Sequence, residues 1–167
     1  AIPVPPAGAT QAQIDAYVAA VKAQAETPMT GDPKVVADHM ASIGLVPRSA
    51  ATHVAVADGD WFDPSTWANG RIPGEGAKVL IPDGVDVRYN GESTASIFSI
   101  RVDGELSFAT DRNTSLTVDT VVVVTRARWR DAACIARLPH PVPISSSRCW
   151  ATRPSLRQMR SSFSVDA

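Results

Sequence analysis

The sequence predicts a mainly β fold: a short right-handed β-helix or β-roll, with two α-helices before it and an irregular tail after it. Three observations predict it. From His53 onward apolar residues alternate with a period of two, and Gly- and Pro-bearing turns punctuate the run. Val79 and Ile81 recur 21 residues later as Ile100 and Val102, and 21 residues later again as Val121 and Val123. A step of about 20 residues is the range for one coil of a β-solenoid, each coil stacking its apolar side chains on the last; a sandwich of hairpins gives a similar rhythm. The third observation is the segment Gly59–Gly91, GDWFDPSTWANGRIPGEGAKVLIPDGVDVRYNG, where two tryptophans six residues apart precede closely spaced glycines and prolines. Such a layout suits the capped entrance of a solenoid.

The elements follow in order. Residues 1–9 are Pro-rich and extended. Residues 10–50 form a two-helix cap or spacer. Thr10 and Gln13 make a capping box, and Ile14, Tyr17, Val18 and Val21 fall at helical spacing, fading near Glu26. Asp32 caps a second helix, and Pro33 suits its first position. Val35, Val36, Met40 and Ile43 form the apolar side of that helix, with His39 facing solvent. Gly44 closes it in the left-handed conformation, folding Leu45 back towards Met40. Residues 51–124 carry the strands: Val54 and Val56, Val79 and Ile81, Val85 and Val87, Leu106 and Phe108, with turns at Asp58-Gly59-Asp60, Pro82-Asp83-Gly84 and Asn90-Gly91.

A chain of 167 residues suffices for one domain with a core. The net charge of −1 implies no particular partner. Residues 1–125 hold eight basic and fifteen acidic side chains, whereas residues 126–167 hold eight and two. All ten glycines lie before residue 126, and both cysteines, Cys134 and Cys149, after it. A cysteine-free body fits an exported protein as well as a cytosolic domain. No apolar run reaches the roughly 18 residues that a spanning helix needs. The chain begins at Ala1 without a methionine or a signal peptide, as a mature form or an excised fragment does.

Trp61, Trp67, Gly70, Pro73, Gly76, Val79, Ile81, Gly84, Val85 and Val87 together resemble the G8-type (eight-glycine) domain. Ile97, Ile100, Val102, Gly104, Leu106, Phe108, Leu116, Val118, Val121 and Val123 continue the pattern, so the resemblance covers about residues 55–124. It implies an extracellular or cell-surface β-rich module, bacterial relatives carrying it ahead of a longer right-handed parallel β-helix. It implies a polysaccharide or cell-surface glycan as partner, and no nucleic acid. It supplies no catalytic residue by position. The family pattern continues past Val124 with a Gly-Gly turn and another strand, where this chain departs from it.

Residues 125–167 stand apart, with scattered arginines and no glycine, lysine or sustained period. Arginine, serine, cysteine and tryptophan accumulate when a GC-rich gene is read out of frame. The codons for Arg128 to Ala132, read one nucleotide later, permit Gly-Gly-Thr-Leu. The tail is therefore expected to be a frameshift product. The alternatives are an Arg-rich arm binding an anionic polymer and an unusual structural tail. Without further strands, Val121 to Val124 would form an uncovered edge.

Candidate chemistry is sparse. Trp61 and Trp67 either stack on sugar rings or plug the first coil. Arg88 and Tyr89 are expected to point outward and meet a glycan. Asp58, Asp60 and Asp63 offer oxygen ligands for calcium, but lack the glycine and glutamate of a helix-loop-helix calcium loop and read better as turn residues. Two carboxylate pairs have glycosidase-like composition, Asp83 with Asp86 and Asp103 with Glu105. The second pair is expected on the outer face, solvated, and no catalytic residue is assigned. His39, His53 and His140 have no metal-ligand spacing. The expected function is a non-catalytic extracellular carbohydrate-binding or β-helix-capping module, a fragment of a larger exported protein. The alternatives are the leading part of a polysaccharide lyase or hydrolase, and a structural adhesin or stalk.

Overall fold

The computed structural model describes residues 2–26, 31–124, 128–130 and 159–165. Helix α1 (Gln11–Ala23) opens on the expected box: Gln13 N–H donates to Thr10 Oγ1, and Thr10 N–H to Gln13 Oε1. Helix α2 (Pro33–Gly44) opens on Asp32, whose carboxylate accepts from Lys34 N–H and Val35 N–H. Nine strands follow: β1 (His53–Val54), β2 (Gly59–Asp60), β3 (Lys78–Ile81), β4 (Asp86–Tyr89), β5 (Glu92–Val102), β6 (Glu105–Phe108), β7 (Thr114–Val123), β8 (Arg128–Arg130) and β9 (Met159–Val165). Short 3-10 turns lie at Arg48–Ala50 and Pro64–Thr66.

The strands form two sheets, ordered β1-β3-β5-β7-β9 and β2-β4-β6-β8. Every pairing is parallel except β7 with β9. The 21-residue repeat is the register of the first sheet: Val79 lies opposite Ile100 and Ile100 opposite Val121, with Ile81, Val102 and Val123 alongside. In the second sheet Val87 lies opposite Leu106 and Tyr89 opposite Phe108. The inward residues of both sheets make one buried core. The fold is thus mainly β, with two helices and parallel strands in two sheets.

The outer face of the first sheet is covered as well. Leu80 and Val54 pack with Val56 and Ala51 against Tyr17 and Val21 of α1. This is the α1 face that the helical spacing picks out. Burial, with Asp83 adding to it, raises the Tyr17 phenol to about 12.

Four expectations are corrected. The buried side of α2 is His39 and Ile43, while Val35 and Met40 are exposed, so His39 does not face solvent. The residues i and i+4 share a face, and that face happens to carry the histidine. Gly44 stays within α2 without a positive φ, and Leu45, with φ −67° and ψ −30°, prolongs the right-handed turn and remains exposed. Strand β9 pairs antiparallel with β7 at Thr114–Val118 and Val121, so of the edge expected at Val121 to Val124 only Val121 gains a β9 partner. An edge offers N–H and C=O groups to any strand of suitable length, whatever its composition. The segment after Val124 departs from a Gly-Gly turn, yet its backbone still supplies β8, parallel to β6. Cys134, Cys149 and His140 lie outside the described residues.

Gly104 carries the tightest turn between the sheets. A Cβ there would lie 2.3 Å from Pro82 O and 2.4 Å from Val85 O. Both contacts are backbone, so neither can rotate away. Gly74 has open space instead. We expect Gly104→Ala to destabilise the fold by about 1–3 kcal/mol and Gly74→Ala to change it by less than about 0.5 kcal/mol, read from urea unfolding midpoints.

Candidate functional site

The residues expected to meet a ligand separate into an inside and an outside. Trp61 and Trp67 are 1 % and 2 % exposed. Their rings meet edge-on at 5.1 Å, and Trp67 Nε1–H donates to Trp61 O at 2.8 Å. The cluster continues through Tyr89, 5.3 Å from Trp61, and Phe108, 5.4 Å from Tyr89. Such contacts contribute about 0.5–1.5 kcal/mol each beyond area burial. Both indoles are therefore part of the buried core and not available to stack on a sugar ring.

Tyr89 does not point outward. It is fully buried, and its hydroxyl donates to Ser115 O at 2.6 Å. Burial pushes its phenol well above the ordinary range, against a smaller opposing effect of Ser93. The reason is the pleat: successive side chains of β4 alternate, so Arg88 and Tyr89 cannot share a face. Arg88 is the outward one, and its guanidinium reaches Asp111 at 3.5 Å, where both are more than half exposed.

The aspartates near β2 serve local structure. Asp63 accepts from Ser65 N–H and Ser65 Oγ–H, which lowers its pKa. Asp58 accepts from Asp86 N–H at 2.8 Å. Among the described residues no group of three or more His, Cys, Asp or Glu is placed to hold a metal ion.

Asp103 is the largest departure. It is buried, not solvated, and each oxygen is held by a different arginine: Arg48 Nε at 2.7 Å and Arg101 Nε at 2.9 Å. Glu26 accepts from Arg48 Nη1 at 3.1 Å and Arg101 Nη2 at 2.7 Å. Arg48 also donates to Gln24 O, and Arg101 to Val46 O. Two cations and two anions thus join the end of α1, the Arg48–Ala50 turn and β5. Burial by itself works to lower the Arg101 pKa, but Glu26 and Asp103 outweigh it and the net shift is upward. The expectation of a solvated Asp103 failed because the helical segment covers this side of the sheet.

The reasoning from sequence also passed over a small cleft. It lies between residues 45–51 and strands β3 and β5, with a volume of about 160 Å³. Phe98 at its rim is 51 % exposed, and Lys78 Nζ lies 5.2 Å from that ring's centroid. The signal was available: the 21-residue step sets Phe98 in phase with Ala77 and Asp119, so a large apolar side chain there is out of keeping.

These features define a class: a mainly parallel two-sheet β domain with an aromatic cluster in its core and helix α1 packed on the outer face of one sheet. Residues 66–131 match the family model of the G8 domain. The match takes in Trp67 and strands β3 to β8, and leaves Trp61, β1 and both helices outside it. No curated protein and no solved structure matches the chain. Among the described residues no helix is long and apolar enough to cross a membrane.

Removing one member of a buried ion network leaves its partner charges uncompensated, at a cost of about 3–5 kcal/mol. Asp103→Asn is expected to destabilise by that order, whereas Asp111→Asn, which touches only the exposed pairs with Arg88 and Arg112, should leave the urea midpoint unchanged.

Proposed function

We propose that the chain is a non-catalytic module of an exported protein, closing the first turn of a right-handed parallel β-helix. The carrying observation is an asymmetry between the ends of the stack. Strands β1 and β2 are two residues long, with Trp61 and Trp67 buried beside them and α1 packed over β1, while β5 and β7 reach 11 and 10 residues. Short, covered strands are how a sheet avoids pairing with other copies at its edge. An extracellular setting rests on the G8 match. A non-catalytic role is supported by Asp103, whose oxygens are both occupied by guanidiniums, and by Asp83 and Asp86, which are exposed.

The test lifts the cover. Val21→Arg sets a charge against Leu80 and Val54 and should detach α1, giving concentration-dependent self-association in sedimentation velocity. A variant that stays monomeric and keeps its unfolding midpoint would defeat the capping role. Turnover of hyaluronan, pectin or alginate by this chain alone would defeat the non-catalytic one.

The outward face of β4 favours a second role, contact with an extracellular polysaccharide. Arg88 stands there beside Asp111 and Arg112, all exposed, offering donors and acceptors to sugar hydroxyls. Arg88→Ala should lower glycan retention on a polysaccharide array severalfold without altering thermal unfolding. Retention that survives the substitution excludes this contact.

A further inference from the structure

The cleft between the helical cover and the first sheet has the chemistry of a ligand site distinct from the Arg88 face. Its volume of about 160 Å³ compares with the roughly 150 Å³ cavity that holds benzene in an engineered protein, so one ring is the largest body it accepts. Leu45, Pro47 and Phe98 are among its lining residues. Leu45 is 49 % and Phe98 51 % exposed, so two large apolar side chains that line the cleft also face water.

The charge at the cleft is single and positive. Arg48, Arg101 and Lys78 line it, and no Asp or Glu does. The two guanidiniums are neutralised by Glu26 and Asp103 behind them. Lys78 is left: among the described residues no carboxylate lies within ion-pair distance of its ammonium, which rests against the Phe98 ring. The nearby Glu75 instead accepts from Ser96 N–H at 2.7 Å.

We propose that this cleft binds a small ring bearing a carboxylate. The apolar face of the ring packs between Phe98 and Leu45, and the carboxylate pairs with Lys78 Nζ. A neutral ring gains the packing without the ion pair, and a cationic one meets repulsion. Two sources carry this chemistry, an aromatic acid and an acidic sugar, and one experiment separates them. The cleft shares Leu80 and Ala51 with the α1 cover, but the side chains that meet the ligand, Lys78, Phe98 and Leu45, are not among those buried beneath α1.

The test is an NMR titration of the full chain, labelled with 15N, using benzoate, glucuronate, benzyl alcohol and glucose. Amide shifts should be confined to residues 45–51, 78 and 98–101, with at least one acid binding about fivefold or more tighter than its neutral counterpart. Raising the salt concentration should weaken only the acids. Lys78→Met should erase the preference and Lys78→Arg keep it, while Phe98→Ala weakens every ligand. Binding by benzoate alone assigns the site to aromatic acids, and by glucuronate alone to acidic sugars. Absence of binding by either acid overturns the proposal, as does equal binding by the neutral rings. Because Lys78 and Phe98 are partly exposed, their variants should retain the native spectrum; if Lys78→Met does not, Lys78→Arg and the salt dependence decide alone.

Discussion

Parallel in-register stacking is the constraint on which the rest of this structure depends. Side chains alternate along a strand, so a slip of one residue would move every inward side chain to the outer face. Each turn of chain must therefore bring the next strand back into phase. The first sheet does so in steps of 26, 21 and 21 residues, from His53 to Val79, Ile100 and Val121. The second steps by 28, 19 and 23, from Gly59 to Val87, Leu106 and Trp129. The longer first step accommodates Trp61, the Pro64–Thr66 turn and Trp67. The extra residues of that step thus carry the buried tryptophans on which the proposed capping role rests.

Covering the sheet from outside creates a second problem, which the ion network answers. Once the helical segment lies over β3 and β5, the outward positions of those strands are buried too. Leu80 suits that environment; Arg101, its cross-strand partner in β5, does not unless it is paired. Asp103 and Glu26 supply the pairing, and Arg48 completes it from the covering segment. Buried ion pairs contribute little net stability compared with a well-packed apolar core. Their effect here is on position: planar guanidiniums bind carboxylates in few orientations, so the network sets where the cover sits on the sheet.

What the sequence revealed follows from the range of the interactions involved. The capping box and the Asp32 cap are local, satisfied within three residues, and were legible. The 21-residue repeat was legible because parallel stacking repeats the same requirement on each turn. Tyr89 was misplaced although alternation with Arg88 already forbade a shared face. His39 and Asp103 were misplaced for another reason. Their burial depends on what covers them, and Asp103 meets Arg48 from 55 positions away. Periodicity distinguishes two faces of an element but does not say whether the second face meets water or another layer.

The same layering bears on the proposed non-catalytic role. Glycoside hydrolysis needs two carboxyl groups flanking the substrate with room between them. At Asp103 both oxygens are already bonded to guanidiniums beneath the helical cover, so a substrate could reach them only by displacing the cover. The other side of the cover line is different. Where residues 45–51 meet β3 and β5 the layers do not close completely, and among the described residues no carboxylate pairs with the Lys78 ammonium at that opening. The carboxylates that neutralise the arginines inside thus leave Lys78 as the cation at the seam on which the proposed ligand preference rests.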